Sequence, residues 1–240
     1  METLTGQVAL ITGGGRGIGA ETAKQLAQLG ATVVLVARTR AQLEATADEI
    51  RAAGGKAYWF VADVSDEGAL REAVQGALGI TGNIDILVNN AGFIQAVGPI
   101  ETSEPSEWWR TLEGNLKGLY LTTRLVLPTM LEQGRGQIVN VLSIAAARAF
   151  GGLSAYSCAK AAGLMFTRIL AKEVRKRGVR VMAILPGAVD TAIWGTGEGI
   201  PEREKMIRPS SVARLIVQML TTPPDATVDE LWVLPQEGVL

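Results

Sequence analysis

Short runs of β-branched and aliphatic residues alternate with longer amphipathic stretches along almost the whole chain, and this alternation restricts its fold more than any other feature. Strands too apolar to face water, each followed by a helix, are typical of a parallel sheet covered by helices on both faces. The sequence therefore predicts an α/β fold with a doubly wound, Rossmann-type parallel sheet of seven strands. Right-handed crossovers give the expected strand order 3-2-1-4-5-6-7.

The alternation also predicts where each element lies. No repeat and no linker-like change of composition interrupts it, so residues 1–240 are expected to form a single domain. The predicted strands are Gln7–Thr12, Thr32–Val36, Lys56–Ala62, Asp85–Val88, Gln137–Leu142, Val179–Leu185 and Glu230–Leu234. The predicted helices are Gly17–Leu29, Arg40–Ala53, Asp66–Leu78, Ser106–Gln133, Ala155–Arg177 and Ser210–Leu220.

The composition excludes several classes of site. The chain has no histidine, which excludes a Ser-His-Asp triad and histidine-ligated metal. Its single cysteine, Cys158, forms no intrachain disulfide or metal cluster and is interpreted as a small residue filling space beside a helix. The net charge of −1, without a basic block, gives no footprint for nucleic acid. Without a signal peptide or an apolar run of membrane-spanning length, we expect a cytoplasmic protein with no membrane partner.

A glycine-rich segment, Thr12–Gly19 (TGGGRGIG), joins the first predicted strand to the first predicted helix. Glycines let the backbone approach a pyrophosphate closely, and the helix N-terminus offers free N–H groups to the anion. Gly15–Ala20 also matches the dinucleotide pattern G-x-G-x-x-G/A. Tight turns select glycine for structural reasons too, but the position at the first junction favours phosphate binding. The candidate contacts are Gly13, Gly15, Arg16, Gly17 and Ile18.

The end of the second predicted strand indicates which cofactor is bound. A carboxylate there would hold the ribose 2′-OH of NAD, but this chain has Ala37 followed by Arg38. A guanidinium group matches the oxygens of a 2′-phosphate, so Arg38, with Arg16 from the loop, favours NADP(H). The alternative is that Arg38 is a solvated side chain at a strand end.

A tyrosine and a lysine spaced four residues apart, Tyr156 and Lys160, share one face of a predicted helix. A phenol is a poor acid or base at neutral pH, but a neighbouring ammonium group lowers its pKa. Ser143 ends the preceding predicted strand, at the sheet edge where open α/β folds bind ligands. The three side chains are therefore candidates for proton transfer to or from a substrate oxygen.

Together these motifs resemble the short-chain dehydrogenase/reductase family, and the resemblance covers essentially the whole chain. Among relatives, the 3-oxoacyl-carrier-protein reductases and related carbonyl reductases are the most similar. The residues that carry the resemblance are Thr12–Gly19, Asp63-Val64, Asn89–Gly92 (NNAG), Asn115, Ser143, Tyr156–Lys160 (YSCAK) and Pro186–Thr191 (PGAVDT).

The resemblance implies a role for each residue. Tyr156 would protonate the carbonyl oxygen in reduction and act as the base in oxidation. Lys160 would lower the pKa of Tyr156 and bind the nicotinamide ribose, Ser143 would hold the substrate oxygen, and Asn115 would anchor a water leading to solvent. The remaining implied cofactor contacts are Asp63 and Val64 at adenine, Asn90 at the adenosine ribose, Ala91 and Gly92 nearby, Pro186, Gly187 and Val189 at nicotinamide, and Thr191 near the carboxamide or pyrophosphate.

These features predict an NADP(H)-dependent oxidoreductase that interconverts a ketone and a secondary alcohol. An NAD-linked polyol or sugar dehydrogenase is the alternative within the fold, and Ala37-Arg38 disfavours it. A catalytically silent nucleotide-binding scaffold is the alternative outside enzymes, and the complete Asn-Ser-Tyr-Lys set disfavours it. Asn89, Ala91 and Gly92 have a second interpretation, as braces of the central sheet.

Two segments differ from the resembled reductases. The expected substrate lid, Ala192–Arg208, is short and contains Gly195, Gly197 and Gly199, which suggests a small or open pocket. The C-terminal Asp229–Gly238 lacks the G-x-x-x-x-x-D-G-G ending common among acyl-carrier reductases. The Tyr–Lys spacing is shorter than in enoyl reductases, so reduction of C=C bonds is not expected.

Two long predicted helices bear on the oligomeric state of the protein. Relatives commonly pair the helices equivalent to Ser106–Gln133 and Ala155–Arg177 in a four-helix interface, which predicts a homotetramer, with a dimer as second choice. The candidates for burial there or in the core are Leu121, Leu125, Leu164 and Phe166.

Overall fold

A computed structural model describes residues 3–95, 97–195 and 201–239. Within these residues seven strands form one parallel sheet in the order 3-2-1-4-5-6-7, which confirms the predicted fold class. The strands are Val8–Thr12 (β1), Thr32–Ala37 (β2), Lys56–Val61 (β3), Ile86–Asn89 (β4), Gly136–Val141 (β5), Val179–Pro186 (β6) and Glu230–Val233 (β7).

The helices follow the predicted alternation, with one clear difference. The helix predicted over Ser106–Gln133 consists of two α-helices joined by a π-helical turn, Glu113–Lys117. Within the described residues no helix is long and apolar enough to cross a membrane. The helices are Gly17–Gln28 (α1), Arg40–Ala52 (α2), Glu67–Thr81 (α3), Pro105–Leu112 (α4), Gly118–Gln133 (α5), Ser154–Val174 (α6) and Pro209–Leu220 (α7).

Helix α3 is longer than predicted at its C-terminal end. The side chain of Asp66 accepts a hydrogen bond from the amide of Ala69, which fixes the start of α3. The helix passes through Gly79, since glycine inside a helix costs only about 1 kcal/mol. It ends at Gly82, whose φ of 76° is the left-handed conformation that favours glycine.

The core lies on both faces of the sheet. Every residue of β1 is buried, and successive side chains point to opposite faces. Ala9 and Ile11 pack in a cluster with α1, α2 and α7, whereas Val8 and Leu10 pack in a cluster with α3, α5 and α6. The apolar strands are therefore buried from both sides, as their composition predicts.

The sheet reverses its winding between β1 and β4. These two strands are neighbours, yet the chain leaves β1 towards β2 and β3 and leaves β4 towards β5 and β6. A crevice opens at such a point, outside the carboxyl ends of the strands. The Thr12 hydroxyl accepts hydrogen bonds from the amides of Asn90 (3.0 Å) and Ala91 (3.1 Å), which joins the two strand ends.

Candidate active site

A cleft of about 1780 Å³ runs along the carboxyl edge of the sheet. Every residue that the sequence nominates for cofactor binding lines it, together with Ser143. Asn115 is not among the lining residues. The nominated residues that line the cleft are Gly13, Gly15, Arg16, Gly17, Ile18, Arg38, Asp63, Val64, Asn90, Ala91, Gly92, Tyr156, Lys160, Pro186, Gly187, Val189 and Thr191.

The glycine loop leaves no room for side chains. Gly13 and Gly17 have φ values of 67° and 56°, which other residues rarely adopt. A Cβ on Gly13 would lie 2.7 Å from Nδ2 of Asn90, and a Cβ on Gly19 would overlap the carbonyl oxygen of Gly13. Asn90 holds the loop by donating to the carbonyl oxygens of Thr12 (3.0 Å) and Gly13 (3.3 Å).

This loop fits the pyrophosphate of a dinucleotide. Helix α1 begins within this segment, at Gly17, and its first turn contains no acidic residue. The N-cap residue, Arg16, makes no side-chain hydrogen bond to the helix end. All residues at the N-terminal end of α1 are described by the structure. The first N–H groups of this helix and the positive end of its dipole are therefore available to an anion.

Arg38 stands at the end of β2, with its side chain 58% exposed. Its Nη1 lies 3.7 Å from Oδ2 of Asp63, and its guanidinium carbon lies 5.9 Å from the ring centroid of Phe93. Partial burial acts to raise the pKa of Asp63, but hydrogen bonds from the amide and hydroxyl of Ser65 and the charge of Arg38 hold it below its usual value. Arg38 therefore lines the cleft beside Asp63, with more than half of its side chain in water.

Tyr156 and Lys160 lie in the first turns of α6, and both are buried. Burial raises the pKa of Tyr156 to about 12, with a hydrogen bond to Ser143 acting in the opposite direction. Burial lowers the pKa of Lys160 to about 8. The sequence predicted that Lys160 brings the pKa of Tyr156 down; in this structure desolvation of the phenol outweighs any such effect.

Ser143 lies two residues beyond the end of β5, not at the end of the strand as predicted. Its hydroxyl accepts a hydrogen bond from the amide of Ala145 (3.1 Å), which caps a short 3₁₀ turn. Nζ of Lys160 donates to the carbonyl oxygen of Val141 (3.2 Å), at the end of the same strand. Strand β5 therefore positions both the serine and the lysine.

Asn115 lies in the π-helical turn, buried behind the wall of the cleft. Its Nδ2 donates to the carbonyl oxygens of Phe93 (2.8 Å) and Thr111 (2.9 Å). Its Oδ1 is buried and has no partner among the described residues. A Cβ on Gly92 would lie 2.6 Å from this oxygen and 3.4 Å from Nζ of Lys160, so both groups border the same glycine.

The buried side chain of Asn89 braces the sheet. Its Nδ2 donates to Oδ1 of Asn140 on β5 and to the hydroxyl of Thr123 on α5, each at 2.9 Å.

Cys158 is exposed, so the interpretation that it fills space beside the helix is wrong. It lies two residues from both buried side chains, Tyr156 and Lys160, and therefore points away from the core.

The segment after β6 forms the far wall. Thr191 approaches the glycine loop, because a Cβ on Gly17 would lie 3.3 Å from its Cγ2. Arg203 forms an ion pair with Asp190 and donates to the carbonyl oxygen of Gly195 (3.2 Å). Of the predicted lid, Gly197 and Gly199 lie outside the described residues.

Several lining residues were not nominated from the sequence. Thr39 and Gln42 lie beside the glycine loop, and Phe93 and Ile94 follow β4. Their position in the sequence could have identified them, because Thr39 and Phe93 come shortly after strand ends, where side chains reach the crevice.

Comparisons with known proteins agree with this geometry. Residues 7–198 match the model of the short chain dehydrogenase family. An uncharacterised oxidoreductase of Staphylococcus aureus is 35% identical over 235 residues, 98% of this chain and 100% of that protein. The structure of a metagenomic short-chain oxidoreductase in complex with NADP has 35% identity and a TM-score of 0.86, covering 97% of this chain and 98% of that one.

A 3-ketoacyl-ACP reductase from Sinorhizobium meliloti has 38% identity and a TM-score of 0.88, covering 96% of this chain and 98% of that chain. The matches extend over the glycine loop and the Ser-Tyr-Lys cluster alike. The chain therefore belongs to the short-chain dehydrogenase family of oxidoreductases.

Proposed function

We propose that this protein is an NADP(H)-dependent oxidoreductase that transfers a hydride between nicotinamide and a ketone or secondary alcohol. The observation that carries the proposal is the convergence of Ser143, Tyr156 and Lys160 on the cleft that begins at the glycine loop. One end of the cleft suits a dinucleotide phosphate, and the other presents a proton donor.

Tyr156 is the acid in the direction of reduction. Its phenol, whose pKa burial raises to about 12, is protonated at neutral pH, so release of the proton depends on stabilisation of the tyrosinate that is left. When bound in the cleft, NADPH would supply the hydride for the carbonyl carbon. The phenol proton passes to the carbonyl oxygen, which Ser143 holds by a hydrogen bond, and a tyrosinate remains. In oxidation that tyrosinate accepts the alcohol proton.

Lys160 and Asn115 support this proton transfer. With a pKa near 8, Lys160 is mainly charged at neutral pH and stabilises a tyrosinate whose ring centroid lies 5.4 Å from its Nζ. The unpartnered Oδ1 of Asn115 borders the same glycine as Nζ. It is suited to hold a water through which Lys160 returns a proton from solvent.

The cofactor is proposed to be NADP(H) rather than NAD(H). Arg38 and Arg16 both face the end of the cleft where the 2′-substituent would lie, and Ala37 offers no carboxylate to repel a phosphate. The similar metagenomic oxidoreductase was solved in complex with NADP. These observations disfavour the NAD-linked polyol dehydrogenase considered above.

The test is oxidation of NADPH, followed at 340 nm, with a panel of ketones, β-keto esters and diketones. We expect at least one ketone to be reduced, with matched formation of its alcohol. If NADPH binds but no ketone is consumed, the protein is the catalytically silent scaffold instead.

We further propose that the protein assembles as a homotetramer, with a dimer as second choice. Leu121 and Leu164 belong to the core rather than to an outer face, and Leu125 and Phe166 pack against it. The exposed large hydrophobic residues described on α5 and α6 are Tyr120, Met165 and Ile169. They favour a contact with a second copy; a monomeric mass by light scattering at micromolar concentration would count against it.

A further inference from the structure

Beyond the reaction type, we propose that the substrate is an uncharged ketone bearing a bulky apolar group, not an anionic or polyhydroxylated one. This inference rests on the proposed function, because it concerns the substrate end of the same cleft. Its basis is the wall that three loops contribute to the cleft that Ser143 and Tyr156 also line.

The three loops follow β4, β5 and β6, on the side of the sheet away from Arg38. Each contributes several apolar side chains to the cleft. Two from each loop define the apolar wall: Ile94 and Val97 from the first, Phe150 and Leu153 from the second, and Ile193 and Trp194 from the third.

Contacts between and within the loops give this apolar wall a defined shape. The amide of Gly98 donates to the carbonyl oxygen of Gly152 (2.9 Å), which ties the loop after β4 to the loop after β5. The indole Nε1 of Trp194 donates to the carbonyl oxygen of Val189 (2.9 Å). The side chain of Val97 nevertheless remains exposed. An apolar ligand group seated there would remove that surface from water.

Among the described side chains that line the cleft at this wall, none is an unpaired cation, and Arg148 of the loop after β5 does not line the cleft. Lys160 is buried and donates to Val141, and Lys205 contacts Glu202 and Glu237. Arg203 pairs with Asp190. A carboxylate or phosphate brought here would lose hydration without gaining a partner, which is costly.

A substrate with several hydroxyl groups would also lose hydration without gaining hydrogen-bond partners in this wall. The indole N–H of Trp194 is already bonded, and the other five side chains of the wall are hydrocarbon groups without a donor or acceptor. A site that discriminates for a sugar needs side chains that bond its hydroxyl groups. The six apolar side chains cannot do so.

The test compares substrates matched in shape. With NADPH, methyl 4-acetylbenzoate and 4-acetylbenzoate differ in charge at similar size, and dihydroxyacetone represents a polyhydroxylated ketone. We expect kcat/KM for the ester to exceed that for the acid, and that for dihydroxyacetone, by at least about tenfold. Equal or higher efficiency with the acid or with dihydroxyacetone would overturn the inference while leaving ketone reduction intact.

Two substitutions of Phe150 test whether the apolar wall causes the preference for the ester. Phe150→Ala should raise KM for the ester several-fold, and Phe150→Arg should shift the ratio of kcat/KM for the ester to that for the acid by about tenfold in favour of the acid. Ile80→Ala, at an exposed position of α3 outside the cleft, is the control. NADPH binding by each variant reports folding. If both Phe150 variants bind NADPH and behave as the control does, the apolar wall does not select the substrate; if no ketone at all is reduced, the proposed function fails as well.

Discussion

Nζ of Lys160 lies 5.4 Å from the ring centroid of Tyr156, and both side chains are almost completely buried, at 5% and 7% exposure. Burial moves their pKa values in opposite directions, to about 8 for the lysine and about 12 for the tyrosine. Each group is thereby shifted towards its uncharged form, because a charge is costly away from water. At neutral pH the pair is a protonated phenol beside a mainly charged amine.

The lowered pKa of Lys160 predicts a pH-dependent stability. Between about pH 8 and the ordinary lysine pKa of 10.5, the unfolded chain keeps a proton that the folded protein has released. The free energy of unfolding should therefore rise with pH in this window, whereas the cost of the buried charge is fully present below it. Replacement by Met should remove this dependence.

Urea unfolding of wild type and Lys160→Met, at fixed protomer concentration and without cofactor, measures the effect. We expect the wild type to gain about 2 kcal/mol relative to the variant between pH 7 and pH 9.5. A difference that stays constant with pH would show that the amine is not held at a lowered pKa.

Cofactor preference should follow the end of β2. Wild type should use NADPH with kcat/KM at least about tenfold higher than NADH, and the gap should narrow at high salt, since Arg38 is well exposed. Combining Ala37→Asp with Arg38→Leu should reverse the preference, because it adds repulsion and removes attraction. Both cofactors are compared on one ketone. Equal efficiency in wild type would mean that the pair with Asp63 holds Arg38 away from the cofactor.

Substitution of a glycine in the glycine loop should be far more damaging than substitution of a glycine elsewhere in the chain. In Gly19→Ala the new methyl group would overlap the carbonyl oxygen of Gly13, so the loop must shift and NADPH affinity should fall by at least about tenfold. Gly79→Ala is the matched control: a Cβ there meets nothing within 4 Å, and α3 should gain about 0.5–1 kcal/mol. Isothermal titration with NADPH and thermal unfolding separate the two effects; unchanged affinity in Gly19→Ala would contradict the loop's role.

Trp108 should position the helix that carries the tyrosine. Its Nε1 donates to the hydroxyl of Ser154 (3.0 Å), the first residue of α6. Trp108→Phe keeps most of the ring but loses this bond, so we expect a loss of about 1 kcal/mol in stability and a several-fold lower kcat with unchanged KM for NADPH. Trp109→Phe, at its exposed neighbour, should change neither. Indistinguishable kinetics in the two variants would argue against a positioning role.

The strand order and the location of the cleft could be predicted because they depend on local patterns. Each buried strand is an apolar run, and parallel strands bring their carboxyl ends to one edge. The residues of the glycine loop and the Tyr–Lys pair therefore line one cleft, as expected.

Features that depend on distant contacts could not be predicted. The π-helical turn places Asn115 where its amide bonds Phe93, 22 residues earlier, and Gly114 packs against the Phe93 ring. The pairing of Arg38 with Asp63 likewise joins the ends of two strands. The exposure of Cys158, by contrast, follows from helical geometry, since residues two apart point in different directions.

Exchange of Tyr156 for Phe tests the central claim most directly. The variant keeps the ring but has no transferable proton, and loss of the hydroxyl changes the volume of this buried side chain only slightly. With a ketone that the wild type reduces, we predict that kcat falls about 10²–10⁴-fold. NADPH binding, measured by fluorescence titration, should stay within a few-fold of wild type. A variant that binds NADPH and retains near-normal kcat would contradict the assignment of Tyr156 as the acid.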